Sequence, residues 1–531
     1  MLFDKYDEIL KRHPYYLWGK AYLSERKGLY LQATNLYEEC LEDTSLIMST
    51  LPRLLRMYNK TGKFDKISQL ENQYIALQSS SLLSQLIELT ESEQKNMIPL
   101  REGSVVQILQ GMPNLHTSYS AFNYILFCKG LLYNLNSIRR ELLSKRNYRF
   151  LQNSLRLTRE KLAIFRVKKD SVQIQMIQAQ KDSLERMLTS SNKQLKFILS
   201  NFQKRISSLE LQNRINADEL IIDIEKFNEG GNIYYKSIVM SKDIPPTIVD
   251  LYKEGDDTIF YNYLEPYIRR YKKVFLSPSG HSLISPLEHI LRKKYQNIEF
   301  HRVFSLSDIY VDHTINEFNA VAFGNPSFNT EAPQSKSLRS NMWHPLPGSK
   351  IEIDSITLCI RSHTTGHILQ FTEENATESK LKTIDKSNIS ILHISTHGYF
   401  NPLTNESGLL FTGANRGLNG DTSDNVDDGV LTCDEIESLY FPNLKLVVLS
   451  ACETGLGESN IDGVWGLQRA FRIAGAQNMI VSLKKVDDDL TQAFMISFYE
   501  CLTSGKSIYK SFWEAMDKAD EDTRNSFILI E

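Results

Sequence analysis

At 531 residues the chain is too long for one hydrophobic core, and roughly two to four domains are expected. Its 41% hydrophobic and 24% charged content suits a soluble globular protein, and a net charge of −3 gives no overall field for nucleic acid or an anionic membrane. Six cysteines scattered without CxxC spacing argue against a zinc site or a disulfide framework and suit a reducing cytosol. Met1 to Tyr16 lacks the apolar stretch of a signal peptide, and no run reaches the ~18 apolar residues of a membrane span. A cytoplasmic location, without membrane association, is the expectation.

The first region, 1–130, reads as short paired helices. Trp18-Gly19, Tyr22, Gly28, Tyr30, Ala33, Tyr37 and Leu41 form one helix-turn-helix pattern, and Leu55, Tyr58, Gly62, Phe64, Ile67 and Leu70 form a second. Large and small residues at such offsets interlock helix pairs, and the pattern resembles tetratricopeptide repeats.

Residues 131–218 are almost free of Gly and Pro. Leu184, Leu188, Leu195, Leu199, Phe202, Ile206 and Leu209 step mostly by three, four or seven, which predicts long helices, as an antiparallel pair or coiled-coil-like hairpin. Arg139 to Lys169 holds eleven Lys/Arg against two Glu. Its ordinary reading is a solvated helix face; the alternative is a docking surface for an acidic partner or RNA.

From 219 to 531 the pattern changes to alternating strands and helices. Leu220–Ile224 and Tyr234–Met240 flank Gly230-Gly231, and apolar runs recur at 274–277, 320–324, 391–395, 446–450, 479–483 and 527–530. Alternation of this kind predicts a mostly parallel sheet flanked by helices, an α/β fold behind an all-α N-terminal region. Two of these runs end alike. Ile391-Leu392-His393-Ile394-Ser395-Thr396-His397-Gly398 and Leu446-Val447-Val448-Leu449-Ser450-Ala451-Cys452-Glu453 each close in small residues and one reactive side chain. Parallel strands build their sites at the carboxyl edge, so a base and a thiol are expected there together.

The ordered blocks of this half carry a family resemblance. They include Ser277-Pro278-Ser279-Gly280, Phe323-Gly324-Asn325-Pro326, Leu346-Pro347-Gly348-Ser349-Lys350-Ile351-Glu352, Ser395-Thr396-His397-Gly398 and Ser407-Gly408-Leu409-Leu410-Phe411. Asp428-Gly429-Val430-Leu431-Thr432, Leu449-Ser450-Ala451-Cys452-Glu453-Thr454-Gly455, Gly463-Val464-Trp465-Gly466 and Val486-Asp487-Asp488 continue the series. Region 219–531 resembles the CHAT domain, a caspase- and separase-like cysteine peptidase domain often attached to tetratricopeptide repeats. The resemblance implies a caspase-like α/β fold and a peptidase using a His397–Cys452 dyad, with the backbone N–H groups of Gly398 and Cys452 as the oxyanion hole. No third triad member is implied. The 55 residues between His397 and Cys452 agree with the roughly 50 that separate the caspase pair. Relatives act in prokaryotic defence beside gasdermin-like pore formers or RNA-guided complexes.

Asp487, Asp488 and Asp489 have two readings, a pocket for a basic P1 residue, as the resemblance implies, or a helix cap, and one residue could serve as both. Lys484 stands where the family commonly has tryptophan, which bears on substrate preference. His393 reads as a core histidine, and Glu352 as either an orienting group or a surface salt-bridge partner. Gly413 to Gly429, rich in Asn, Asp and Gly, reads as a mobile loop at the site's edge. No metal, nucleotide or other cofactor is expected. The expected partners are a protein substrate and a regulatory protein or protein–RNA partner docked on the helices; direct nucleic-acid binding is not expected. The competing reading is a catalytically silent scaffold or repeat adaptor, and a third is a thiol-dependent transferase or non-peptide hydrolase.

Overall fold

The computed structural model describes residues 14–111, 119–167, 170–190, 207–229, 232–253, 257–306, 309–310, 314–329, 343–401, 406–418, 428–451, 454–461 and 463–531. The chain begins with helices Pro14–Arg26 and Tyr30–Cys40, followed by Ile47–Thr61 and Phe64–Glu88. The first pair interlocks as its small and large residues require. Ala21, Ala33 and Tyr37 are fully buried, and Trp18 lies flat on Tyr22 with the Tyr37 ring edge-on. Gly28 and Gly62 turn the two pairs at φ 77° and 75°, a region that side chains with a Cβ avoid. Each pair also carries a tyrosine bonded to an acid: Tyr37 to Glu25 at 2.7 Å and Tyr58 to Glu38 at 2.8 Å.

The long-helix region folds as an antiparallel hairpin, Arg149–Val167 against Ser171–Ser190, in which Leu184 and Leu188 pack with Leu143 and Leu155. The expected Leu195, Leu199, Phe202 and Ile206 lie outside the described residues, and Leu209 is exposed. The basic run is only partly a solvated face: Lys145, Arg149 and Lys161 are exposed, whereas other members turn inward. Arg139 and Arg159 are buried: Arg139 donates to the carbonyls of Ile87 and Leu89, and Arg159 pairs with Glu91 at 2.9 Å. Lys181 joins the same group, at 2.8 Å from Glu91 and 3.0 Å from Glu185. Arg166 reaches Asp434, in the α/β half, at 2.5 Å. Acidic partners within the fold therefore neutralise Arg156, Arg159 and Arg166 of this run.

The α/β half contains two principal sheets where the alternation suggested one. Strands β1 (Glu219–Glu229), β2 (Asn232–Ser241), β3 (Thr247–Lys253), β4 (Lys273–Ser277) and β5 (Glu299–Arg302) form the first, in the order β3-β2-β1-β4-β5. Its β1–β2–β3 part is an antiparallel meander and its β1–β4–β5 part is parallel. The short connection across Gly230-Gly231 allows only antiparallel pairing, which is why the alternation pattern misses it. Lys129, from the helical half, lies half-buried against this sheet, 2.5 Å from the buried Asp223 and 3.0 Å from the buried Glu225.

The second sheet takes β6 (Ala320–Pro326), β7 (Ile368–Glu373) and β8 (Ile391–Ser395). The short strands β9 (Gly398–Asn401), β10 (Glu406–Leu410) and β11 (Val430–Thr432) form their own antiparallel sheet. The second sheet continues with β12 (Leu446–Ser450) and, past the β13 (Glu458–Asn460) and β14 (Gly463–Trp465) ribbon, with β15 (Asn478–Ser482) and β16 (Phe527–Ile530). Its order is β16-β15-β12-β8-β6-β7, parallel except for β16. Strands β8, β12 and β15 are buried along their whole length, as unbroken apolar runs in a parallel sheet should be. Helices Pro347–His363, Asp488–Thr503 and Ile508–Lys518 cover one face, and Glu378–Thr383, Cys433–Ser438 and Leu467–Ala474 the other. The mostly parallel, helix-flanked sheet expected of a caspase-like domain is present. Its lack of a Cβ at Gly324 matters, because one there would overlap Ile353 of the covering helix Pro347–His363.

Candidate active site

Strands β8 and β12 are direct neighbours in register, with Ile391 opposite Leu446 and Ser395 opposite Ser450. His397 leaves the carboxyl end of β8, two residues beyond Ser395. Cys452 stands two residues beyond Ser450 in the sequence and lies outside the described residues, as does Glu453. The segments on either side of it are well tied. Thr454 is buried and donates through Oγ1 to the Ala451 carbonyl at 3.2 Å. Gly455 donates its N–H to Ser482, and its carbonyl accepts from Gln468 Nε2, each at 2.6 Å.

The His397 backbone is held on both sides. Thr396 N–H donates to the Ser450 carbonyl at 3.3 Å, and Leu410 N–H to the His397 carbonyl at 2.9 Å. Gly398, the expected oxyanion donor, is buried at the start of β9 opposite Leu409. The imidazole is half-buried between Phe328 and Trp343, with ring centroids 5.1 and 4.8 Å away. Its Nε2 donates to the backbone carbonyl of His344 at 2.9 Å. That bond fixes the tautomer and leaves the Nδ1 lone pair available as a base; among the described residues Nδ1 has no hydrogen-bond partner. Burial pushes the pKa of His397 below the ordinary histidine value, an effect that the bond to His344 partly offsets.

The His397 ring is oriented by a main-chain atom, the His344 carbonyl, and not by a third side chain. The segment bearing it is pinned by Asn415, which accepts from Trp343 N–H at 2.8 Å and donates to the Trp343 carbonyl at 2.9 Å. Asn415 is buried in helix Ala414–Leu418, so the start of the expected mobile loop is ordered structure; residues 419–427 lie outside the described residues. An Asn among glycines reads as a turn, which hid its role.

Three aspartates follow β15. Asp487 caps helix Asp488–Thr503, accepting from the N–H groups of Asp489 and Leu490 at 3.0 and 3.2 Å. Asp489 is exposed. Asp488 is half-buried and turns back to accept from Gly348 N–H at 2.9 Å, four residues from His344. Burial raises the Asp488 pKa against the opposing pull of the Gly348 bond. Lys484 is partly exposed and pairs with the exposed Asp522 at 3.3 Å.

Under the strand ends lies a buried polar group. Glu352 is not a surface salt-bridge partner: it is 1% exposed. Its Oε1 is 2.6 Å from His393 Nε2, and its Oε2 accepts from Ser395 Oγ at 3.1 Å and Ser450 Oγ at 3.0 Å. His393 is satisfied on both nitrogens when Nε2 carries the proton, since Tyr499 O–H lies 3.2 Å from Nδ1. Sequence reading placed His393 in the core correctly. The paired serines, at matching offsets before His397 and Cys452, were a signal that could have found the rest.

Residues 256–526, just over half of the chain, match the family described as CHAT domain, and the chain belongs to that family. Tetratricopeptide repeat protein 28 of Homo sapiens is 37% identical over 87 residues, 16% of this chain and 4% of that protein. Its Mus musculus counterpart is 39% identical over 74 residues, 14% of this chain and 3% of that protein. The chain thus spans only a few per cent of the length of these relatives. Among solved structures, the Arg specific cysteine proteinase gingipain R is 11% identical, with a TM-score of 0.34, over 52% of this chain and 68% of its own. A Saccharomyces cerevisiae separase–securin complex is also 11% identical, with a TM-score of 0.38, over 98% of this chain and 47% of its own. No helix among the described residues is long and apolar enough to cross a membrane.

Proposed function

We propose that the chain is a cysteine endopeptidase in which Cys452 is the nucleophile and His397 the general base. The observation that carries this reading is the His397 imidazole, held by the His344 carbonyl at the end of β8, next to the strand that leads to Cys452. In the proposed reaction Nδ1 of His397 takes the Cys452 thiol proton as sulfur attacks the scissile carbonyl carbon. The oxyanion receives hydrogen bonds from the Gly398 and Cys452 N–H groups, each worth ~3–4 kcal/mol by analogy with other oxyanion holes. His397 then protonates the departing amine, leaving a thioester that water hydrolyses with His397 again as base. A neutral imidazole suits this role, and its burial favours that form.

Asp488 is the proposed contact for a basic P1 side chain. The half-buried Asp488 is favoured over the exposed Asp487, whose Oδ1 caps the helix, and over Lys484, which pairs with Asp522 and has the wrong sign for a basic P1. Asp488 has one oxygen on Gly348, and among the described residues the other makes no hydrogen bond. The helical half is proposed to dock a regulatory protein or protein–RNA partner.

The test is a peptide library presented to the wild-type chain and to Cys452→Ala and His397→Ala. Cleavage after Arg or Lys by the wild type alone supports the reading. Equal cleavage by all three, or none by any of them in the presence of co-expressed candidate partners, favours the silent scaffold.

A further inference from the structure

We infer that Glu352 is a positioning residue that sets the spacing between the two strand ends from which His397 and Cys452 leave, an inference that rests on the peptidase reading above. The backbone ladder between β8 and β12 ends at the pair Ser395–Ser450. The only backbone tie past it among the described residues of those two segments is the 3.3 Å bond from Thr396 to Ser450. At this last rung the two serine hydroxyls point to the same carboxylate oxygen, Oε2 of Glu352. One atom thereby sets the distance between the strand ends, through bonds of 3.1 and 3.0 Å.

Glu352 is itself fixed. Its other oxygen is held by His393, which Tyr499 holds from behind. Its helix, Pro347–His363, is pinned at the start: Ser349 Oγ donates to the Ser395 carbonyl at 2.7 Å and accepts from Asn325 N–H at 2.8 Å. The group is an acceptor-only carboxylate receiving three donors, with every member buried.

Stability alone does not account for this arrangement. The surrounding layer is apolar, with Ile353, Val448, Met495 and Phe498 among its members. Burying a carboxylate costs free energy, and replacing a hydrogen-bonded set with apolar groups of similar shape is often neutral or stabilising. What a hydrogen-bonded carboxylate supplies, and a leucine does not, is a fixed distance. A dyad needs that distance, because a misplacement of about 1 Å can cost about 100-fold in rate.

The experiment uses the full chain and three variants that each remove one feature: Glu352→Gln, Ser450→Ala and, as a buried-hydroxyl control remote from the site, Ser511→Ala. Ser511 is fully buried, and among the described residues its hydroxyl bonds to the Ser507 carbonyl at its own helix start. Steady-state constants are measured on an arginyl peptide amide, and the rate of Cys452 alkylation by iodoacetamide is read residue by residue by mass spectrometry. Expected for Glu352→Gln and Ser450→Ala is a kcat lowered about 10-fold or more, with KM within about twofold and slower Cys452 alkylation. Ser511→Ala changes none of these. Ser450→Ala removes one oxygen, so it keeps the test open if Glu352→Gln does not fold. Wild-type kcat and alkylation rates in Ser450→Ala, alongside a cleaving wild type, overturn this inference alone. A wild type whose cleavage does not depend on Cys452 overturns the peptidase reading, and this inference with it.

Discussion

His397 donates its Nε2 proton to the carbonyl oxygen of His344 at 2.9 Å. The ring is thereby oriented by a main-chain atom, with Phe328 and Trp343 limiting its contact with water. Burial lowers its pKa, so the neutral base persists at pH values below the ordinary histidine midpoint of about 6.5. The acid limb of kcat/KM is therefore expected below that midpoint. Trp343→Ala admits water, raises the His397 pKa and moves the limb to higher pH. A pH–rate profile from 4.5 to 9 checks both; a limb that stays fixed in Trp343→Ala shows that burial does not set it.

Asn415 secures the segment that presents the His344 carbonyl, through two bonds to Trp343. Asn415→Ala removes both and leaves the part-buried Trp343 N–H and C=O without that partner, at a cost of about 1 kcal/mol each where water does not replace it. The expected result is a drop in kcat of about 10-fold or more, because the orientation of the base is loosened. Kinetics together with thermal melting separate the two effects. A lower melting temperature with unchanged kcat would mean that Asn415 serves the fold alone.

The neighbouring aspartates should separate by function. Asp488→Asn is expected to lower kcat/KM for Arg at P1 by about 100-fold relative to a neutral P1, the scale of a lost charged contact. Asp487→Ala should leave P1 preference intact and cost about 1 kcal/mol of stability, as a lost helix cap does. Profiling both variants against one peptide series, with urea denaturation alongside, decides the assignment. A P1 change in Asp487→Ala reverses it.

Lys129 joins the helical half to β1. Its removal leaves Asp223 and Glu225 buried without their cation. Lys129→Met is expected to destabilise the protein by about 3–5 kcal/mol. Glu225 is pushed up to about 7 from an ordinary 4.5, chiefly by burial and against the pull of Lys129. A carboxyl raised by folding binds more protons in the folded state, so between those values it makes stability fall as pH rises. Without Lys129 that fall steepens, and the variant's deficit is expected to be larger at pH 8 than at pH 5. Denaturation curves at the two pH values test this; an equal deficit contradicts it.

The sequence displayed what repeats or alternates. The apolar runs of β8 and β12 show as runs, and a reactive residue after each run marks the edge of the site. The repeat helices show through Ala33, Tyr37 and Tyr58 for the same reason. The His344 carbonyl has no signature because every residue carries one. Glu352 and Asn415 sit in surface-like contexts, beside Lys350 and among glycines, and burial decides their roles. The basic run misled in part because composition counts charges without their partners: Glu91 and Asp434, which pair with Arg159 and Arg166, lie far from it in sequence. The antiparallel β1–β2 hairpin went unread because alternation carries no strand direction.

Ala33, Tyr37, Tyr58 and Leu135 belong to the same continuous apolar cluster as Ile221, Ile238, Met240 and Phe275. The repeat helices and the first sheet are therefore welded rather than tethered. Nothing docked on the helices can swing them aside as a door swings on a hinge. A cut near residue 218 would break the backbone yet leave the two halves held together by this shared apolar cluster.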